Sequence, residues 1–196
     1  MTIYDISQEV FSCCVYPGDP APQRQQLCTT AEGDLYNLTA FSMCAHNGTH
    51  IDAPFHFLHG GKTVEEMPLD TFVGSCFLAC HEGEVTAETA AGILARAKGA
   101  PRILIGGDAT VTAEGASTFA EAGIRLLGNE GQTVGPEDAP MQVHLILLRK
   151  GVALLEGIVL KDIPEGHYFL SAAPLNLAGS DGAPCRAYLI KQEEAL

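Results

Sequence analysis

Apolar residues fall into short runs separated by clusters of glycine, proline and polar residues. Thr2 to Ile6 reads as an opening strand, and Tyr16-Pro17-Gly18-Asp19-Pro20 packs turn formers densely enough to predict a loop. Leu35 to Met43 alternates apolar with small or polar residues, which predicts a strand leading into a histidine-rich segment over 46–59. Cys76 to His81 predicts another strand. Thr86 can cap a helix running through Ala97, with Glu88 in its first turn. Arg102 to Ile105, closed by Gly106-Gly107, reads as a buried strand. Thr112 can cap a second helix ending near Gly123, and Ile124 to Leu127 is strand-like again. Pro140 suits the first turn of a third helix and Lys150-Gly151 its end. Val152 to Leu155, His167 to Ala172 and Arg186 to Lys191 complete the strands. The middle of the chain thus alternates strands and helices while the first third is mostly β, the pattern of an α/β fold. With no repeat or long linker, one domain over residues 1–196 is the expectation.

Composition narrows the function. Hydrophobic residues make up 46% of the 196 and charged residues 18%, which is globular rather than disordered. The net charge of −13 repels a phosphate backbone, so neither nucleic acid nor an anionic membrane is an expected partner. The first ten residues lack Lys and Arg, and no apolar run is long enough to span a bilayer; a cytoplasmic protein is expected. Seven cysteines, an odd number with no Cys-x-x-Cys spacing, argue against a disulfide framework or zinc ribbon. Most are expected to be small buried hydrophobes, with a redox role for Cys13-Cys14 as the alternative.

Candidate chemistry concentrates in His46-Asn47-Gly48-Thr49-His50-Ile51-Asp52-Ala53-Pro54-Phe55-His56. Imidazole nitrogens and carboxylate oxygens are the usual ligands of zinc, manganese and related ions. Pro54 disfavours helix at Ala53, so the segment is a loop or extended. In extended chain His50 and Asp52 point to one side, and His46 joins them if the backbone turns at Gly48. The alternative is a hydrogen-bonded histidine cluster without an ion. His59, His81 and His167 read as structural or solvent-facing. A second half-site is needed; His144, in an apolar helix, and Glu156, closing an apolar strand, are candidates. By spacing alone, Glu156 can equally be a solvated strand end.

The His46–Phe57 pattern resembles the signature of the metal-dependent cyclase-type hydrolases, a family that includes bacterial kynurenine formamidases and isatin hydrolases. Tyr16-Pro17-Gly18-Asp19, the pair His144 and Glu156, Pro174-Leu175 and Gly182-Ala183-Pro184-Cys185-Arg186 resemble further family motifs in the same order. The resemblance implies an α/β fold of the swivelling β/β/α type, a mixed β core flanked by helices. It implies His46, His50, Asp52, His144 and Glu156 as ligands of one or two divalent ions, zinc or alternatively manganese. It places His56 at the family's catalytic histidine and implies a homo-oligomer, dimer or tetramer. The expected activity is hydrolysis of a C–N bond in a formamide or small cyclic amide, most concretely N-formylkynurenine. A lactonase, dehydratase or cyclisation catalyst, and a metal-binding protein without turnover, are the alternatives. Tyr16, where the formamidases typically carry Trp, Asp19 and Arg186 are candidate substrate contacts. Arg186 can clamp a substrate carboxylate or form a structural salt bridge.

Overall fold

The protein's computed structural model describes residues 1–191. In chain order the elements are β1 (Thr2–Asp5), β2 (Gln23–Cys28), β3 (Leu38–Ser42), β4 (His50–Asp52), β5 (Val73–Cys80), β6 (Gly83–Val85) and α1 (Ala87–Ala97). Then come β7 (Arg102–Gly106), β8 (Ala109–Val111), α2 (Ala113–Glu121), β9 (Leu126–Asn129), α3 (Met141–Arg149) and β10 (Ala153–Glu156), followed by β11 (Gly166–Ser171), β12 (Gly182–Pro184) and β13 (Tyr188–Lys191).

The helices start where capping chemistry places them. Thr86 Oγ1 accepts from the Thr89 N–H at 3.3 Å, and Thr112 Oγ1 from the Gly115 N–H at 3.1 Å. Each satisfies an amide that a first turn leaves unpaired. Pro140 stands just before α3, and its carbonyl receives the His144 N–H.

Nine strands form one mixed sheet in the order β1-β13-β11-β5-β7-β9-β10-β4-β12. The run β5-β7-β9-β10 is parallel, each step crossing through a helix; the outer strands pair antiparallel. Alternation divides the core. Phe77, Ile103, Ile105, Leu127 and Leu154 pack with Ile93, Phe119 and Leu147 of the three helices. Leu78, Leu104, Leu126 and Leu155 turn to the other face, against Ile6, Phe72 and Leu170. Each such side chain, taken from water, contributes about 1.5–3 kcal/mol.

The α/β class is as expected; three details differ. β2 and the three-residue strands β6, β8 and β12 were not foreseen, and β13 starts at Tyr188 rather than Arg186. The cysteines are not mostly buried: of seven free thiols only Cys76, at an inward position of central β5, is fully enclosed. Cys14 and Cys80 are exposed, because a loop and a strand end carry them. No helix among the described residues is long and apolar enough to cross a membrane.

Candidate metal centre

β4 lies between β10 and β12, and register does most of the assembly. His50 pairs with Glu156 across one edge, while Asp52 sits opposite Leu154 and Gly182. Strand alternation sends His50, Asp52 and Glu156 to the helix side of the sheet and Ile51 into the opposite core. There α3 adds His144. His50 Nε2 lies 3.3 Å from Asp52 Oδ1 and 3.4 Å from Glu156 Oε2. His144 Nε2 lies 3.4 Å from Asp52 Oδ2 and 3.2 Å from Glu156 Oε1. All four residues are buried.

Both rings are aimed by the backbone. His50 Nδ1 donates to Gly48 O at 2.9 Å, and His144 Nδ1 donates to Pro140 O at 2.9 Å. A carbonyl only accepts, so Nδ1 carries the hydrogen and Nε2 faces the carboxylates. Gly48 supplies the turn: its φ is +62°, and a Cβ there would stand 2.8 Å from Cys13 Cβ.

His46 reaches the same carboxylate after that turn, with Nδ1 2.8 Å from Asp52 Oδ1. Its Nε2 lies 3.0 Å from Asp181 Oδ2, and His56 Nδ1 lies 3.1 Å from that same oxygen. The His46 and His56 rings overlap with centroids 4.1 Å apart. Gly182 makes this possible, since a Cβ there would meet His46 Cε1 and Ile51 O, both at 2.7 Å. Asp181 did not emerge from the sequence. It stands in Gly179-Ser180-Asp181-Gly182, where an aspartate reads as an ordinary turn former; its only signal was adjacency to the Gly182–Arg186 motif.

Electrostatics bind the cluster together. Burial alone would depress the His50 and His144 imidazoles, but hydrogen bonds and charge from Asp52 and Glu156 override it and raise both to about 10. Asp52 shows the converse. Burial would raise it, yet the imidazoles of His144, His46 and His50 hold it well below the usual carboxylate range. His46 is raised too, Asp52 and Asp181 outweighing burial. Two bare buried carboxylates would cost several kcal/mol each. Here imidazolium protons compensate them, in the place where a cation would do the same.

A divalent cation fits these donors. Asp52 Oδ2 is buried, and its 3.4 Å approach to His144 Nε2 falls outside hydrogen-bond geometry; a lone pair left so is costly unless an ion takes it. The groups His46, Asp52, His56 and His50, Asp52, Glu156 each bring ligand atoms within 4.8 Å of one another, sharing Asp52. The nitrogen and oxygen donors suit zinc, manganese and their neighbours.

The cluster opens into a cleft of about 380 Å³ lined by Tyr16, Asp19, Cys44, Phe57, Gln132 and Pro140, among others. Tyr16 Oη donates to Glu137 O at 2.8 Å, joining the N-terminal loop to the loop before α3. Asp19 Oδ2 takes the Cys44 thiol at 3.6 Å, and the Phe57 ring packs on His144. Arg186 is elsewhere. Its guanidinium is mostly exposed and forks onto Asp5, because β1–β13 pairing brings the end of β1 beside the residues before β13. Of its two readings, the structure shows the salt bridge. A larger cleft at the ends of the parallel strands is lined by Glu82, Asp108, Glu130 and Asp162 but by no histidine.

The family model Cyclase, described as "Putative cyclase", matches residues 4–135. The chain belongs to that family. This cyclase-family chain is 35% identical over 210 residues to the kynurenine formamidase of Paracidovorax citrulli, covering 95% of each chain. Among solved structures it resembles "The Structure Of Potential Metal-Dependent Hydrolase With Cyclase Activity", with TM-score 0.82, 31% identity and 98% of each chain covered. Isatin hydrolase A from Labrenzia aggregata shares the fold at 21% identity, with TM-score 0.82 over 97% of this chain and 94% of the other. The cyclase-family assignment agrees with the resemblance carried by the His46–Phe57 signature, and the matched segment contains that whole motif.

Proposed function

We propose that this hydrolase cleaves a C–N bond of a formamide or small cyclic amide, with the N-formyl group of N-formylkynurenine as its most concrete substrate. The carrying observation is the buried cluster of imidazoles and carboxylates beside a further imidazole, His56, that faces the cleft. Kynurenine formamidases similar along nearly the full chain support the substrate class. In this reading His46, His50, Asp52, His144 and Glu156 hold one or two divalent ions, zinc or manganese. When bound, such an ion supplies Lewis acidity, which makes water a nucleophile near neutral pH and polarises a carbonyl.

The protein's own side chains do the rest. The backbone-anchored rings of His50 and His144 keep their Nε2 atoms in place through the reaction. His56 Nε2 takes a proton from the attacking water as the O–C bond forms. It returns that proton to the departing nitrogen as the C–N bond breaks, so formate and an amine leave. Tyr16, Asp19 and Phe57 wall the cleft and orient the acyl substrate. A non-catalytic metal store would favour a closed ligand set without His56.

We further propose a cytoplasmic homo-oligomer, dimer or tetramer. Free thiols throughout support a reducing compartment. The β2–β3 ribbon supports association, since it leaves Leu27, Leu38 and Phe41 half exposed. Light scattering behind size exclusion tests the assembly. The central test pairs metal analysis with turnover of N-formylkynurenine, alongside Asp52→Ala. Metal-dependent formate release, lost in the variant, is expected. Bound metal without turnover on any formamide, lactam or lactone sinks the catalytic reading. In His56→Ala we expect kcat to fall about 10²–10⁴-fold with metal retained.

A further inference from the structure

His56 needs a fixed ring orientation to move a proton, and nothing in the cluster of His50, Asp52, His144 and Glu156 provides it. Its backbone is held, the His56 N–H donating to Ala53 O at 2.9 Å, but a fixed backbone leaves χ1 and χ2 free. Among the described residues, the one side chain that hydrogen-bonds the ring is Asp181, through Nδ1 at 3.1 Å. The same Oδ2 meets His46 Nε2 at 3.0 Å.

The carboxylate itself rests on a clamped turn. The Ala53 N–H donates to Asp181 O at 2.9 Å, and the Val64 N–H donates to Ser180 O at 2.9 Å. Ser180 Oγ closes the turn onto Gly182 O at 2.6 Å. His56 and Asp181 therefore hang from the same short stretch, Ala53 to Val64, and cannot drift apart independently. Phe57, edge-on to the His56 ring at 4.5 Å, closes the ring's other side.

An acceptor on Nδ1 fixes the tautomer. The hydrogen stays on Nδ1, and Nε2 keeps the lone pair a general base requires. No described residue hydrogen-bonds His56 Nε2, so that atom is left for water and substrate. A carboxylate behind an imidazole is the usual device for orienting a proton-transfer histidine and stabilising the cation it forms. The link to His46 gives this carboxylate a second duty. With one His46 nitrogen facing Asp52, the other is steadied by Asp181, as in carboxylate–histidine–metal arrangements.

We propose that Asp181 is a positioning residue of the reaction, holding His56 in its Nδ1–H tautomer while steadying the His46 ring through the same oxygen. The inference rests on the hydrolase reading above, and its test separates the two. Asp181→Ala and Asp181→Asn are compared with wild type in metal content, in kcat and KM for N-formylkynurenine, and in the nitrogen-15 spectrum of histidine-labelled protein. The expected result for Asp181→Ala is a kcat roughly 10–100-fold lower, KM within about threefold, and metal content unchanged. Asp181→Asn, whose amide oxygen can still accept from Nδ1–H, recovers most of that loss. In the spectrum the wild-type His56 signal is that of the Nδ1–H form, and Asp181→Ala turns it into a tautomer mixture.

An unaltered kcat in Asp181→Ala, or an unaltered His56 signal, overturns the proposal. So does loss of metal in Asp181→Asn, which would make Asp181 a ligand. If wild type binds metal but cleaves no formamide, the hydrolase reading has failed on its own, and the spectrum still decides whether Asp181 fixes the His56 ring.

Discussion

His50 and His144 each tie one ring nitrogen to a backbone carbonyl and turn the other toward Asp52 and Glu156. In the metal-free protein both are protonated up to about pH 10. That contribution to stability is fully present below the unfolded histidine value of about 6.5 and fades as pH rises through about 10. Asp52 works in the opposite sense, its share disappearing as pH falls through its depressed value. An entering cation displaces the imidazole protons, so metal uptake should release protons and tighten as pH rises toward about 10. Titration calorimetry in buffers of different ionisation enthalpy reads the release; heats independent of buffer at pH 7 would contradict this arrangement. Thermal melts of chelator-treated protein should fall between pH 7 and 10 while metal-loaded melts stay level. At this scale the sequence was readable where spacing alone sets direction. His50 and Asp52, two apart in extended chain, had to share a side. Asp181 was hidden because its role depends on a ring brought from far along the chain, and Arg186 was undecidable because its partner Asp5 lies at the other end.

β4 is three residues long, yet it is fully buried and paired on both edges. Its partner β12 approaches so closely that residue 182 admits no side chain. Gly182→Ala would press a methyl onto His46 and the Ile51 carbonyl, an overpacking typically costing about 1–3 kcal/mol. The expected outcome is a lower melting temperature with weakened metal retention and turnover; a variant equal to wild type in all three would show that the strand yields. Helices α1 and α2 were legible almost to the residue, because Thr86 and Thr112 announce their starts chemically. β2 was not. Gln23-Arg24-Gln25-Gln26 has no apolar alternation, and the strand exists through pairing with β3 rather than burial. β12 escaped notice for a related reason, since Gly182-Ala183-Pro184 carries no strand propensity and is extended by docking on β4.

For the molecule as a whole, the net charge of −13 is solvated at the surface, while the consequential charges are the few inside. A cation bound among them should stabilise the folded state by mass action. Saturation at about 100 times the dissociation constant contributes about 2.7 kcal/mol, or roughly 5–10 °C for a chain of this size. Differential scanning with and without zinc or manganese measures it, and Asp52→Ala should abolish the increment; an equal shift in the variant would place the ion elsewhere. The α/β class was legible from the alternation of elements, whereas the order of strands was not, since β4 pairs with neighbours far ahead of it in the chain.

That placement of β4 bears on how the protein is made. His46, His50, Asp52 and His56 leave the ribosome well before β10 and β12, between which β4 must lie, and before Asp181. Pairings so distant form slowly. On the proposed ligand set an unfinished chain offers an ion only a loose histidine loop, and a chain cut before Glu156 can never close around it. The site that takes the ion is then completed only when the sheet is, so an unfinished chain cannot retain it.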